Sequence, residues 1–251
     1  MKRKPTKKLD IMSQCAIVLA VLMACLLVGC DNSSESAAKE TSTSKSSASA
    51  TGADQTGSDY VDASGVVDPI IQKTGWWTND TYGHYGILIQ NANQDYDAYS
   101  VQVEIAAFDQ SGIEMSSSID TIHKIPAGET IGFAGDFGNA WLPETVTFRV
   151  IPSSAQYKPA ANKDDYSITE FSEQNNMNSC YEVEGCVTNN TADYANAVGI
   201  SVLLFDRDQN ILAGYSGQAC NIESDYSGDF LIEMRSAPDH ALVRVYPQLA
   251  K

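Results

Sequence analysis

An internal duplication is the feature that most constrains how this chain can fold. Ile105–Asp109 recurs 97 residues later as Val202–Asp206, and Phe148–Pro152 recurs 95 residues later as Val243–Pro247. Two further matches have offsets of 98 and 97 residues, namely Ile89–Asn91 with Val187–Asn189, and Phe133 with Phe230. Offsets this similar indicate two homologous copies that differ by small loop insertions.

Within each copy the apolar residues recur with a period of two, which is typical of strands with one buried face. The alternating positions are Val101, Val103, Ile105 and Ala107 in the first copy and Val198, Ile200, Val202 and Leu204 in the second. Turn-forming residues such as Pro126–Gly128 separate the strands, and no amphipathic helix follows residue 60. We therefore predict an all-β chain of two tandem immunoglobulin-like antiparallel β-sandwiches, at 66–152 and 166–251, joined by a polar linker at 153–165.

The first 29 residues are predicted to be a lipoprotein signal peptide. A basic start precedes the apolar run Cys15–Val28, whose 14 residues would span only about 21 Å as a helix, too short for a bilayer core of about 30 Å. Leu27–Cys30 (LVGC) resembles the lipobox of bacterial lipoproteins, which implies that Cys30 is diacylated. Two acyl chains anchor a protein stably in a membrane, so Cys30 is the expected membrane attachment point. Residues 30–65 are rich in Ser, Thr and Ala, and we expect them to form a disordered tether.

The order of motifs in both copies resembles FxLYD-type domains. Each copy has a strand ending in Asn, an alternating strand ending in an aromatic residue and Asp, and a final x-Arg-Val-x-Pro strand. The Phe-x-Leu-Tyr-Asp signature of that family corresponds here to Ile105–Asp109 and Val202–Asp206. The resemblance implies immunoglobulin- or fibronectin-like sandwiches on a bacterial envelope lipoprotein.

Charge excludes one class of function. The whole chain has a net charge of −16, and residues 30–251 alone contain 11 basic and 31 acidic side chains, a net charge of −20. A body this acidic repels phosphates, so we expect no nucleic-acid partner.

No motif of the sequence predicts catalysis, a cofactor or a metal site. His84, His123 and His240 share no spacing typical of a metal or catalytic centre. Asp206, Asp208 and Asn210 have the spacing that opens a calcium loop, but Ile211 stands where such a loop needs Gly. We interpret this segment as a polar turn and expect a non-enzymatic protein without cofactor.

Three cysteines fall in the second copy. In an extracytoplasmic protein they predict one disulfide and one unpaired thiol. Cys186–Cys220 is the favoured pair, and Cys180–Cys220 is the alternative.

The aromatic group of the first copy is the best candidate for a recognition surface. It comprises Trp76, Trp77, Tyr82 and Tyr85. Exposed Trp and Tyr side chains stack on sugars or anchor partner proteins, whereas buried ones would only close a sandwich edge. We expect a lipid-anchored binding or scaffold module on the extracytoplasmic face of a bacterial membrane, with an unknown protein or envelope component as its partner. The alternative is a carbohydrate- or small-ligand-binding protein that uses this aromatic group.

Overall fold

A computed structural model describes residue 60 and residues 65–78, 82–139, 142–161, 164–176 and 180–248. The chain divides into two compact units, Met1–Asp54 and Gln55–Lys251, and all described residues belong to the second. The predicted signal peptide, Cys30 and most of the predicted tether lie outside the described residues.

The prediction of an all-β fold is confirmed, because every regular element among the described residues is a strand. The strands of the first copy are β1 (Ile70–Thr78), β2 (Tyr82–Gln90), β3 (Tyr96–Phe108), β4 (Glu114–Ile125), β5 (Thr130–Asn139), β6 (Thr145–Val150) and β7 (Gln156–Pro159). Those of the second are β8 (Tyr166–Asn176), β9 (Cys180–Asn189), β10 (Ala195–Phe205), β11 (Ile211–Ile222), β12 (Ser227–Arg235) and β13 (Leu242–Gln248).

Each copy forms a β-sandwich of two antiparallel sheets. The first sandwich has sheets β1-β2-β5 and β4-β3-β6, with β7 added beside β3. The second has sheets β8-β9-β12 and β11-β10-β13. The two strand orders correspond one to one, so the offsets found in the sequence also relate equivalent strands of the structure.

A buried asparagine repeats at the same place in each sandwich. Asn91 and Asn189 are both 0% exposed. The side-chain amide of Asn91 donates to the carbonyl oxygens of Tyr96 and Ile125, at 2.8 and 3.1 Å. The amide of Asn189 donates to two equivalent carbonyls, at 2.7 and 3.1 Å. A buried amide that satisfies turn carbonyls is a structural requirement of the fold, which explains why the sequence retains it in both copies.

The segment predicted as a linker contributes to the first sandwich. β7 lies inside residues 153–165 and pairs with the start of β3. Tyr157 is only 3% exposed, and its hydroxyl donates to the carbonyl oxygen of Val67 at 3.0 Å. One buried aromatic residue therefore holds a short strand whose other residues are polar enough to resemble a loop in the sequence.

Each sandwich has its own core, and a third apolar cluster joins them. The joint lies between the outer face of sheet β1-β2-β5 and the outer face of sheet β11-β10-β13. Its members are Leu88, Ala134, Leu203, Phe205, Ile211 and Tyr246. Because apolar side chains of both sandwiches lose contact with water there, the hydrophobic effect holds the two sandwiches together.

Glycines allow the two sheets to approach closely. A Cβ atom at Gly214 would lie 2.4 Å from the carbonyl oxygen of Tyr85 and 2.8 Å from the Cα of Gly86. A Cβ atom at Gly75 would lie 1.9 Å from the carbonyl oxygen of Ile211. Any side chain at these positions would force the sheets apart, so the joint depends on backbone-to-backbone contact.

Candidate functional site

The four aromatic residues predicted to form a surface do not share one. Trp76 is partly buried and packs edge to face on Phe137, with ring centroids 6.4 Å apart. Tyr85 is 0% exposed and belongs to the core of the first sandwich. Tyr85 therefore has no face on which a sugar ring could stack, and Trp76 is only partly accessible.

The other two aromatic residues, Trp77 and Tyr82, are exposed. Trp77 is 41% exposed, and its indole N–H donates to the carbonyl oxygen of Ser236 in the second sandwich, at 2.9 Å. Tyr82 is 55% exposed. The indole of Trp77 therefore connects the two sandwiches.

The structure does not bring the predicted disulfide partners together. Cys180, Cys186 and Cys220 are all free. Cys186 lies on the outer face of sheet β8-β9-β12, where its thiol contacts Asp229 Oδ1 at 3.1 Å, and Cys220 is exposed on β11 of the opposite sheet. The hydrogen bond to Asp229, together with desolvation, raises the pKa of the Cys186 thiol to about 11. Strand alternation turns both side chains outward from different sheets, which explains the separation.

The segment with calcium-like spacing is a turn stabilised by its own carboxylate. Asp206 Oδ1 accepts the backbone N–H groups of Asp208 and Asn210, each at 2.8 Å, and the Asn210 side chain donates to Oδ2 at 2.9 Å. These hydrogen bonds, above all those from Asn210, lower the pKa of Asp206. Asp109 accepts two backbone N–H groups in the same way in the first copy. Within the described part of the chain, no group of three or more His, Cys, Asp or Glu side chains is arranged to hold a metal ion.

The three histidines lie in different places. His84 on β2 contacts Asp136 on β5, with Nδ1 2.6 Å from Oδ1. The His240 side chain is 3% exposed, and its ring contacts Glu173 Oε1 at 2.5 Å and the carbonyl oxygen of Pro238 at 2.8 Å. His123 lines a cleft between the sandwiches. His84 lies next to that cleft, because it contacts Asp136, which is one of the residues that line the cleft.

The cleft has a volume of about 450 Å³ and opens between the two sandwiches, beside the apolar joint. Its first wall comes from β4 and β5, and its second from β10, β11 and β13. The polar side chains that line it include Asp120, Asp136, Ser201, Ser216, Gln218 and Gln248. Its volume lies in the range of about 300–1,000 Å³ that is typical of small-molecule sites.

The first wall contains a tyrosine–aspartate pair in which Tyr85 is fully buried and Asp120 is partly buried. The hydroxyl of Tyr85 donates to Asp120 Oδ2. Burial, followed by the negative charge of Asp120, raises the pKa of Tyr85 far above its usual range. A Cβ atom at Gly135 would lie 2.7 Å from the Tyr85 hydroxyl oxygen and 2.9 Å from Asp120 Oδ2, so this glycine leaves room for the pair. The carboxylate of Asp120 is thus held in one orientation at the cleft.

A second fixed carboxylate stands next to it on β5. Asp136 contacts His84, whose ring packs on Tyr215 of the second sandwich with centroids 4.5 Å apart. The Asp136 side chain is 55% exposed. Its charge contributes to the raised pKa of both Tyr85 and Tyr215, after burial in each case. Asp136 directly follows Gly135, and strand alternation places it with His84 on the face of the sheet that meets the second sandwich, whereas the Tyr85–Asp120 pair lies on the inner face.

The second sandwich provides an internal control for the polar pair. Residues equivalent to Tyr85, Gly135 and Asp120, by strand register and by the sequence offsets, are Val183, Ile232 and Gly217. In the second sandwich a Cβ atom at Gly217 would lie 2.7 Å from Ile232 Cγ1, so isoleucine fills the space that Tyr85 and Asp120 fill in the first. The fold therefore closes with apolar residues alone at this level, and the polar pair is not a requirement of the architecture.

The sequence contains a signal for Asp120 that motif searches miss. In the alternation of β4, Asp120 is in phase with Ile122, which is 0% exposed, so the pattern points the carboxylate inward. A charged residue on the buried face of a strand is costly unless it has a partner or a function. The partner, Tyr85, comes from the opposite sheet, and only the folded structure identifies it.

Comparison with known protein families and with curated proteins finds no match for this chain. Among the described residues, no helix has the length and apolar character needed to span a bilayer.

Proposed function

We propose that this protein is a membrane-anchored extracytoplasmic lipoprotein that acts as a non-enzymatic binding module. Lipid attachment at Cys30 would anchor it, and residues 30–65 would hold the body away from the membrane surface. The FxLYD-type resemblance of both copies and the β-sandwich architecture support an envelope-associated role. The bound partner is a protein or another component of the envelope.

The observation that carries this proposal is a polar cleft that the architecture does not need. Tyr85 and Asp120 occupy a layer between the two sheets of the first sandwich, and Val183 and Ile232 fill the equivalent layer of the second. Asp120 is partly buried, and removing a carboxylate from water costs free energy unless the group is hydrogen-bonded, as it is here by Tyr85. Polar residues maintained against such a cost, beside a cavity between two domains, are typical of a binding site.

Several contacts fix the two walls of the cleft relative to each other. The backbone N–H of Ala134 donates to Ser201 Oγ at 3.1 Å, and Gln248 Nε2 donates to the carbonyl oxygen of Gly132 at 2.8 Å. Farther along the joint, Lys73 Nζ donates to the carbonyl oxygen of Gln209 at 2.8 Å. A cleft with walls held in this way is formed before a ligand arrives, which reduces the entropy lost on binding.

Site-specific photocrosslinking in cells tests the proposal. A photoreactive phenylalanine derivative at Thr121, which lines the cleft, is compared with the same group at Leu231, which is 57% exposed on the far sheet of the second sandwich. We expect a discrete adduct from position 121 in the membrane fraction and none from position 231. In the Cys30→Ala background the protein is expected to leave the membrane fraction or to remain unprocessed.

Two results would contradict the proposal. Equal labelling from both positions, or none from position 121, would exclude the cleft as the site of binding. Normal processing and membrane retention of the Cys30→Ala protein would exclude the lipid anchor.

A further inference from the structure

We propose that the loop between β12 and β13 is a pH-sensitive latch, which His240 closes while its ring is protonated and releases when the ring loses a proton. The loop comprises residues 236–241 of the second sandwich. It connects the edge strand β8 with the boundary between the sandwiches. The latch goes beyond the binding function proposed above and does not depend on it.

His240 holds the loop to the neighbouring sheet. Its Nε2 atom lies 2.5 Å from Glu173 Oε1 on β8, and its Nδ1 atom lies 2.8 Å from the carbonyl oxygen of Pro238. The ring also packs edge to face on Tyr181 of β9, with centroids 4.9 Å apart. Because the His240 side chain is only 3% exposed, water has little access to either contact.

Only one form of the ring satisfies both contacts. Carbonyl and carboxylate oxygens accept hydrogen bonds, whereas a neutral imidazole has one N–H donor and one acceptor nitrogen. The protonated ring has an N–H group at each nitrogen, so it donates to Pro238 and to Glu173 at the same time. After the loss of one proton, an acceptor nitrogen would face an acceptor oxygen at one of the two contacts. That contact would then oppose the closed position of the loop.

The other titratable groups near the ring are engaged elsewhere. The Tyr181 hydroxyl donates to Asp239 Oδ1 at 3.3 Å. Desolvation, followed by the charge of Asp239, raises the pKa of Tyr181, so the phenol stays neutral while a histidine titrates. On β12, Arg235 and Glu233 pair with each other on the outer face of the sheet. Glu173 is therefore the charged group that the ring contacts directly.

The rest of the loop is held by the first sandwich and by the apolar joint. The carbonyl oxygen of Ser236 accepts the indole N–H of Trp77, and Ser236 has a left-handed backbone with φ of 57°. The backbone N–H of Ala241 donates to the carbonyl oxygen of Phe205, which belongs to the joint. A non-glycine residue keeps a left-handed conformation only where its surroundings fix it. We therefore expect loss of the His240 contact to loosen the loop along its length.

Hydrogen–deuterium exchange of the full-length protein in detergent tests the latch at about pH 5.5 and about pH 9, because histidine ordinarily changes charge between about pH 5 and 8. The measured quantity is the protection factor of peptides that contain residues 236–241, which corrects for the effect of pH on chemical exchange. Peptides from β10, in the core of the same sandwich, report any change in global stability.

The test variant is Glu173→Gln, which has nearly the same shape as the wild-type side chain. Its amide donates to a neutral ring nitrogen and, after rotation, accepts from a protonated one, so the contact survives in both forms of the ring. The matched control is Glu182→Gln on the adjacent strand. Strand alternation turns Glu182 to the outer face, whereas Glu173 pairs with the buried Val183. Circular dichroism and thermal melting confirm that both variants are folded.

We expect the protection of the wild-type loop to fall by about tenfold or more from the lower to the higher pH, the change that corresponds to the loss of one charge-assisted hydrogen bond. In Glu173→Gln the protection of the loop should be the same at both pH values. Glu182→Gln should respond as the wild type does.

Three outcomes would overturn the latch. They are protection of the wild-type loop that does not change with pH, an equal fall in Glu173→Gln and in the wild type, and an equal fall in the loop and in β10. None of them bears on the proposed binding function, which photocrosslinking from position 121 tests separately.

Discussion

Replacing Lys124 with methionine should destabilise the protein strongly, because this lysine is the centre of a buried ion cluster. Its ammonium group lies 3.2 Å from Asp97 Oδ2 and 2.8 Å from Asp165 Oδ2. The side chains of Lys124, Asp97 and Asp165 are 7%, 2% and 29% exposed. Asp97 also accepts the backbone N–H groups of Ala127 and Ala161. The lysine thus connects the core of the first sandwich to Asp165, the residue before the first strand of the second.

The expected cost follows from what remains after the substitution. Removing one partner of a buried ion pair costs about 3–5 kcal/mol, because the other charge stays buried without compensation. Asp97 would keep its two backbone donors, and Asp165 is partly hydrated, so we expect the lower end, about 3 kcal/mol. In urea, at a slope of about 3 kcal/mol/M, this loss lowers the unfolding midpoint by about 1 M.

Lys158→Met is the matched control for this measurement. Lys158 Nζ lies over the rings of Tyr60 and Tyr99, at 4.6 and 5.3 Å, and makes no ion pair within the described part of the chain. Losing this cation–π contact should cost about 0.5–1 kcal/mol. Midpoint shifts of the same size for Lys124→Met and Lys158→Met, followed by tryptophan fluorescence, would refute the assigned role of the buried cluster.

Two other properties can be measured directly. Gly214→Val should force the sandwiches apart at the point where their backbones touch and lower the free energy of unfolding by about 1–3 kcal/mol. Urea unfolding measures this loss, with Ser216→Val, at an exposed site on the same strand, as the control. A loss of stability no larger than that of the control would contradict the prediction. Burial and the neighbouring Asp68 raise the pKa of Tyr157 to about 12, from 10.0. Its contribution to stability should therefore be complete below pH 10.0 and decline as the pH rises through about 12, since only the unfolded chain ionises readily there. In a spectroscopic titration Tyr157→Phe should remove one late-ionising tyrosine, and an unchanged curve would exclude this assignment.

Much of the fold could be predicted from the sequence because the duplication supplied a second example of every strand. Asn91 and Asp109 recur at fixed offsets, and each performs the same structural role as its counterpart in the other sandwich. Such residues satisfy local backbone groups, so their roles depend little on the rest of the molecule.

The candidate site was less predictable because it depends on contacts between sheets. Tyr85 is in phase with Ile87 and Ile89, both fully buried, and this alternation already argues against the surface role that the aromatic cluster suggested. The pairing of Tyr85 with Asp120 joins strands from opposite sheets, and the cleft requires both sandwiches. No local sequence pattern encodes the docking of one sandwich on the other. The sequence alone therefore could not predict which residues of the two sandwiches face each other across the cleft.

The joint between the sandwiches uses two different sheets, and this asymmetry bears on self-assembly. A head-to-tail contact of this kind, repeated from molecule to molecule, produces open-ended fibres. On the still-uncovered sheet of the second sandwich, Glu184 and Asp229 stand where the joined sheet has Gly86 and Gly132. Another molecule docking there would have to bury both carboxylates against an apolar surface. The two carboxylates thus disfavour the addition of a further sandwich at this sheet in the way that the first sandwich joins the second.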